Sequence, residues 1–199
     1  MNFDDFIGLL RLTFRNPAQA VRALQALKLP FAARWMALMV TVILSTLLMI
    51  LVIKAKPDSV MPIIAGVVGQ PIAYVILQLL GIAIASWLLT NLGRGVGGKA
   101  DFPDVLLVIT WIEVLLLSAQ VVQSAALMIS PLLSSLIGLA TTVMIVWAAI
   151  QLLRAVQGIS NPLVVILGLV ASFMVTVFIL SIVAAAFGLI PELPAEVHS

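Results

Sequence analysis

The sequence predicts an all-α integral membrane protein: five transmembrane helices, preceded by cytoplasmic amphipathic helices at the membrane interface. Three observations predict it. The 199 residues are 63% hydrophobic and 9% charged, with a mean hydropathy of +1.28, far from the composition of a soluble domain. Apolar runs long enough to cross a hydrocarbon layer of about 30 Å recur five times, at about 33–53, 71–92, 105–129, 132–153 and 163–187. Ahead of them, residues 1–30 carry apolar side chains at helical spacing with charges in the remaining positions.

The first element holds Phe3, Phe6, Ile7, Leu10 and Phe14 on one side and Asp4, Asp5, Arg11 and Arg15 elsewhere, the pattern of a short surface-seeking helix. Asn16-Pro17 reads as an N-cap followed by proline at the first helical position. The second helix then carries Val21, Leu24 and Leu27 against Arg22, Gln25 and Lys28, and Pro30 closes it. Its basic residues suit anionic headgroups, each contributing about 1 kcal/mol near such a surface. The first hydrophobic run begins near residue 33 and exceeds a signal-peptide core, so the first span is expected to stay in the membrane.

After the first span, Lys54, Lys56, Pro57 and Asp58 open a loop that ends near Gln70-Pro71. Within it, Val60 to Val68 is broken by Pro62 and Gly66, is too short to cross, and is expected to be interfacial or re-entrant. The second span ends in a glycine-rich turn from Gly93 to Asp104. From Val105 to Leu153 the chain is almost continuously apolar; as one helix it would be about 73 Å long, more than twice a bilayer. Ser130-Pro131 supplies the reversal. Arg154 to Pro162 forms the last loop, and residues 191–199 read as a flexible tail.

Orientation follows from the basic residues. Arg11, Arg15, Arg22, Lys28, Arg34, Arg94, Lys99 and Arg154 fall on one side of this topology, and only Lys54 and Lys56 on the other. The positive-inside rule then puts the N-terminus in the cytoplasm and the C-terminus outside. Trp35, Trp87, Trp111 and Trp147 fall toward span ends, as interfacial anchors do.

Composition excludes several kinds of chemistry. With no cysteine, disulfides, thiolate metal sites and thiol nucleophiles are ruled out. The single histidine, His198, reads as a solvated tail residue, so no metal or other cofactor is expected. Nothing supports nucleic-acid binding, and loops of at most roughly 17 residues leave no room for a soluble catalytic domain. No Ser-His-Asp set, HExxH helix or intramembrane carboxylate pair is present, so an enzyme is not expected.

What stands out is Glu113, the only acidic side chain deep within a span. It lies about 12 Å past the start of the 105–129 run, where a carboxyl group costs about 3 kcal/mol on insertion scales and normally faces protein or a water-filled cavity. Thr110, Glu113, Gln120 and Ser124 keep near one helix face, and Gln70, Tyr74 and Gln78 form a comparable stripe on the second span. A hydrogen bond from Gln78 or Tyr74 to Glu113 is the expected pairing. Glu113 is expected to be reached past the Gly93–Asp104 turn. Two readings stay open: a polar cleft for protons, an ion or a lipid headgroup, and a buried polar clasp between helices.

The turn Gly93-Arg94-Gly95-Val96-Gly97-Gly98-Lys99-Ala100 satisfies GxGxxG and comes near a Walker A pattern. A phosphate loop follows a strand and needs Ser or Thr where Ala100 stands, so a flexible turn is the default, with Arg94 and Lys99 as candidates for lipid phosphates alongside Arg11, Arg15 and Arg22. Small residues at spacing four, such as Gly81/Ala85, Gly138/Thr142 and Gly168/Ser172/Thr176, permit close helix approach within a subunit or in a homo-oligomer.

Asn16-Pro17 with the helix Ala18–Leu29, a first span after Pro30, and the turn Gly97-Gly98-Lys99-Ala100-Asp101-Phe102-Pro103-Asp104 leading into Val105–Trp111 resemble the Yip1 family of five-span membrane proteins, especially its short bacterial members. The resemblance covers most of the chain. It implies five helices, a cytoplasmic N-terminus and an exterior C-terminus. Eukaryotic relatives are associated with vesicle trafficking and small GTPases. This chain lacks their long cytosolic N-terminal region and Asp-Leu-Tyr-Gly-Pro motif, so a small-GTPase partner does not carry over. A multi-pass protein of the bacterial inner membrane is expected, with the C-terminus in the periplasm. The function expected is non-enzymatic handling or organising of membrane lipids, by scrambling or headgroup accommodation at Glu113. The alternatives are a proton- or ion-coupled transporter or channel, and a scaffold for partner proteins.

Overall fold

The computed structural model describes residues 3–57 and 69–186. Seven helices account for nearly all of them: α1 (Phe3–Arg15), α2 (Pro17–Ala26), α3 (Phe31–Ala55), α4 (Pro71–Gly95), α5 (Phe102–Ile129), α6 (Pro131–Gln157) and α7 (Pro162–Ala186). No strand occurs among the described residues. Helices α3 to α7 are each long and apolar enough to cross a membrane. At 25 to 28 residues they measure about 38 to 42 Å, so their ends reach beyond the hydrocarbon into the headgroups. The 60–68 segment, the tail and His198 lie outside the described residues.

Helix ends follow local chemistry. Asn16 caps α2, its Oδ1 accepting from the Gln19 N–H at 3.2 Å, with Pro17 at the first helical position. One extended residue, Ser130 (φ −157°), separates α5 from α6, and Pro131 starts the return helix. Gly97 closes α4 at φ +89°: the Gly98 N–H bonds to Gly93 O at 2.7 Å and the Gly97 N–H to Arg94 O at 3.1 Å. This is a Schellman stop, whose left-handed position favours glycine. Gly158 (φ +71°) plays the same part after α6, where the Ile159 N–H reaches Arg154 O at 3.2 Å.

Helix α5 is the axis of the bundle, packed on α3, α4 and most extensively on α6, while α7 closes against α4 and α6. The arrangement gathers α1, α2 and the two loops 96–101 and 158–161 at one end, with eight of the ten basic residues; we call it the basic end. Ser130 and the C-terminus of α3 mark the distal end, where Lys56 Nζ donates to Leu127 O at 2.6 Å.

Helices α1 and α2 form as their pattern predicts, but their apolar faces meet protein. Leu9, Ala20, Val21 and Leu24 are buried in one core with Val105, Val108, Trp111, Leu152 and Leu153 of α5 and α6. Trp111, expected at the interface, is only 5% exposed. Phe6 packs edge-on against it at 5.8 Å, and its indole N–H donates to Thr13 Oγ1 at 2.9 Å. The helix lies against apolar protein where lipid was expected because α5 and α6 offer aromatic partners, Trp111 to Phe6 and Trp147 to Phe14, the latter stacking at 6.5 Å. Residues 3–30 thus belong to the same folded unit as the spans. Asp104 locks the junction, accepting from Arg34 Nη1 at 2.9 Å and from Gln25 Nε2 at 2.8 Å.

Candidate functional site

Glu113 stands eleven residues into α5, about 17 Å from its basic end. It lines a cleft of about 380 Å³ with Ser45 of α3, Gln78 of α4, Gln120 and Gln123 of α5, and Thr141 and Thr142 of α6. The four helices converge there because α5 presents its polar side chains at positions 113, 120 and 123, and because Gly138 leaves room for Gln123. A Cβ on Gly138 would stand 2.5 Å from Gln123 Nε2. Leu116, Thr142 and Val146, also on the wall, are exposed on the outer surface of the bundle, so the cleft opens sideways toward lipid.

Most of the polar groups in the cleft are already engaged. The Ser45 hydroxyl donates to Gln120 Oε1 at 2.7 Å, and Gln120 Nε2 returns a bond to Ser45 O at 3.3 Å. The Thr141 and Thr142 hydroxyls both donate to backbone carbonyls one turn back, Thr141 to Ile137 O at 2.8 Å and Thr142 to Gly138 O at 2.7 Å. Glu113 differs: no described residue hydrogen-bonds to its carboxyl group. Gln78 Oε1 is likewise buried without a hydrogen-bond partner. Tyr74 lies within electrostatic reach of Glu113 without bonding to it. The expected Gln78 or Tyr74 hydrogen bond is therefore not made, and the clasp reading loses the contact it needs.

The direction of access is also reversed from the expectation. On the basic side of Glu113, Val105 to Val108, Thr110 and Trp111 are all buried under the α1–α2 hairpin and the ends of α4 and α6. On the distal side a second cleft of about 430 Å³ continues from Gln120 and Gln123 past Ser124 and Leu127 to Ser134. The polar track leads toward Ser130. The hairpin, whose docking no charge count reveals, closes the route past the glycine-rich turn.

Of the residues singled out from sequence, Glu113, Gln78 and Gln120 share the cleft and Tyr74 lies nearby. Thr110 does not belong: it is buried, donates to Leu106 O at 2.8 Å and faces the α1–α2 hairpin with Phe6 and Leu24. Arg94 pairs with Asp101 in the turn, and neither it nor Lys99 reaches Glu113. Arg11, Arg15 and Arg22 are exposed on the outer side of the hairpin. Ser45, Thr141 and Thr142 were not read as site residues; their signal was only that of hydroxyls within apolar spans. The glycines of the turn have structural duties. Gly93 seats the Gln157 side chain, Gly98 lies on the Gly93 backbone, and Gly97 takes the left-handed stop. They form no phosphate cradle.

A family model of the Yip1 domain matches residues 11–184. The chain belongs to the Yip1 domain family. The match takes in the end of α1 from residue 11, all of α2 and nearly all of α7, so the Yip1 domain here includes most of the docked hairpin as well as the five spans. No curated protein and no solved structure matches the chain. In this chain the Yip1 domain is thus a multi-pass helical bundle whose single intramembrane carboxylate, among the described residues, stands in a laterally open polar cleft.

Proposed function

We propose that this Yip1-domain protein is a non-enzymatic handler of membrane lipids, which admits a phospholipid headgroup into the Glu113 cleft while the acyl chains stay in the bilayer. The observation that carries the reading is the cleft's opening through the lipid-facing wall beside Leu116, Thr142 and Val146, with polar side chains behind it. A polar floor behind an apolar lip suits a molecule that is itself polar at one end. With the basic end toward the cytoplasm, as the positive-inside rule favours, the track from Glu113 to Ser134 serves the outer half of the membrane, in a bacterial cell the periplasmic leaflet. Arg94, Lys99 and the exposed arginines of the hairpin then lie at the headgroups of the opposite leaflet.

The experiment is reconstitution into liposomes that contain acyl-labelled phospholipids. Wild-type protein is expected to accelerate transbilayer exchange, and Glu113→Gln to slow it at least several-fold. Exchange no faster than in empty vesicles, for both proteins, overturns the reading. The unbonded carboxylate also favours a second reading, passage of protons or monovalent cations. A flux of either that Glu113→Gln abolishes, without lipid exchange, would establish that one instead.

A further inference from the structure

The donors and acceptors of the cleft specify more than polarity. Glu113 offers two carboxylate oxygens and Gln78 one buried amide oxygen, none with a donor among the described residues. The hydroxyl protons of Ser45, Thr141 and Thr142 are spent on other acceptors, so these side chains turn only lone pairs toward the space. No basic side chain lines the cleft. The side-chain donors left over are the amide groups of Gln78 and Gln123 and the second N–H of Gln120, and none bonds to Glu113. An acceptor-rich, laterally open site with one carboxylate calls for a cation that carries several N–H donors.

We infer that the Glu113 cleft binds a primary ammonium group, that of an ethanolamine-type phospholipid headgroup, in preference to a quaternary one. A primary ammonium has three N–H donors, which match Glu113, Gln78 Oε1 and one further oxygen. A quaternary ammonium has none, and sites that select it use aromatic faces. No residue that lines this cleft is aromatic. A volume of about 380 Å³ also leaves room for the phosphate that follows the amine. The inference rests on the lipid-handling reading for its ligand, and the selectivity it adds can fail separately.

The test is a binding titration in neutral detergent, with short-chain phosphatidylethanolamine and short-chain phosphatidylcholine as probes and the shift in Tm as readout. Wild-type protein is expected to bind the ethanolamine lipid at least tenfold more tightly. Glu113→Gln should abolish the difference, and Gln78→Met, which keeps the bulk and removes the oxygen, should reduce it several-fold. Gln78→Met also carries the test if Glu113→Gln does not fold. Equal affinity for the two lipids overturns the inference and leaves the lipid reading standing if both are exchanged. Glu113-dependent stabilisation by sodium or potassium chloride that matches the ethanolamine lipid overturns it in favour of a simple cation site. If liposomes show no exchange while the ethanolamine preference holds, the lipid-handling mechanism fails and the ammonium site survives.

Discussion

Gly93 offers the sharpest test of how the basic end is packed. A Cβ at this position would stand 2.3 Å from Gln157 Oε1, 2.6 Å from its Cδ and 2.9 Å from its Nε2. Gln157 has nowhere to retreat, because it is only 4% exposed. Its Nε2 donates to Leu89 O at 3.1 Å, and its backbone oxygen accepts from the Lys99 N–H at 2.9 Å. Gly93→Ala therefore costs overpacking of about 1–3 kcal/mol and weakens a buried hydrogen bond contributing about 0.5–1.5 kcal/mol. Alanine's better helix propensity returns about 1 kcal/mol, which leaves a net loss of about 0.5–3.5 kcal/mol. Equilibrium unfolding in mixed micelles measures it, with Gly168→Ala as the control. Beyond the local backbone of its own helix, no atom lies within 4 Å of a carbon added at Gly168, so its substitution should be neutral or stabilising by up to about 1 kcal/mol. Gln157→Ala should rescue Gly93→Ala, giving a favourable coupling of about 1–2 kcal/mol in a double-mutant cycle. If Gly93→Ala matches Gly168→Ala and shows no coupling to Gln157, the close α4–α6 seat does not exist.

Two further outcomes concern the hairpin. Asp104→Ala removes the acceptor shared by Arg34 and Gln25; it should cost about 2 kcal/mol and raise hydrogen exchange across α1 and α2 more than across α7, whereas uniform exchange would mean that the hairpin is not held there. Trp111→Phe keeps the edge contact with Phe6 and loses the N–H bond to Thr13, so it should cost about 1 kcal/mol and be additive with Thr13→Ala only if that bond is absent.

The spans were legible because a membrane helix announces itself by length and hydropathy, and Ser130-Pro131 and the glycine-rich turn punctuate the runs. Adjacency was not. Periodicity placed Gln120 near the Glu113 face and pointed to Gln78, but nothing in the order of five similar apolar helices says that Ser45 and Thr141 come to the same place. An amphipathic stripe such as Phe6, Leu10 and Phe14 looks the same whether it rests on lipid or on protein; only the aromatic partners Trp111 and Trp147 on α5 and α6 decide it. That ambiguity reversed the access to Glu113. Thr110 was misassigned for a related reason, since three residues along a helix turn a side chain far enough to leave a narrow cleft.

The hairpin's partners also set a schedule for assembly. Thr13 emerges 98 residues before Trp111, a delay of about 5–20 s at ordinary rates of synthesis, and Leu152 and Leu153 come later still. Until then the buried face of α1 and α2 has only the bilayer surface to rest on. Docking is therefore a late event, possible only once α5 and α6 are inserted and paired. The hairpin, made before its partners on α5 and α6, finds its place only after them, and an exposed hairpin marks a chain whose bundle is unfinished.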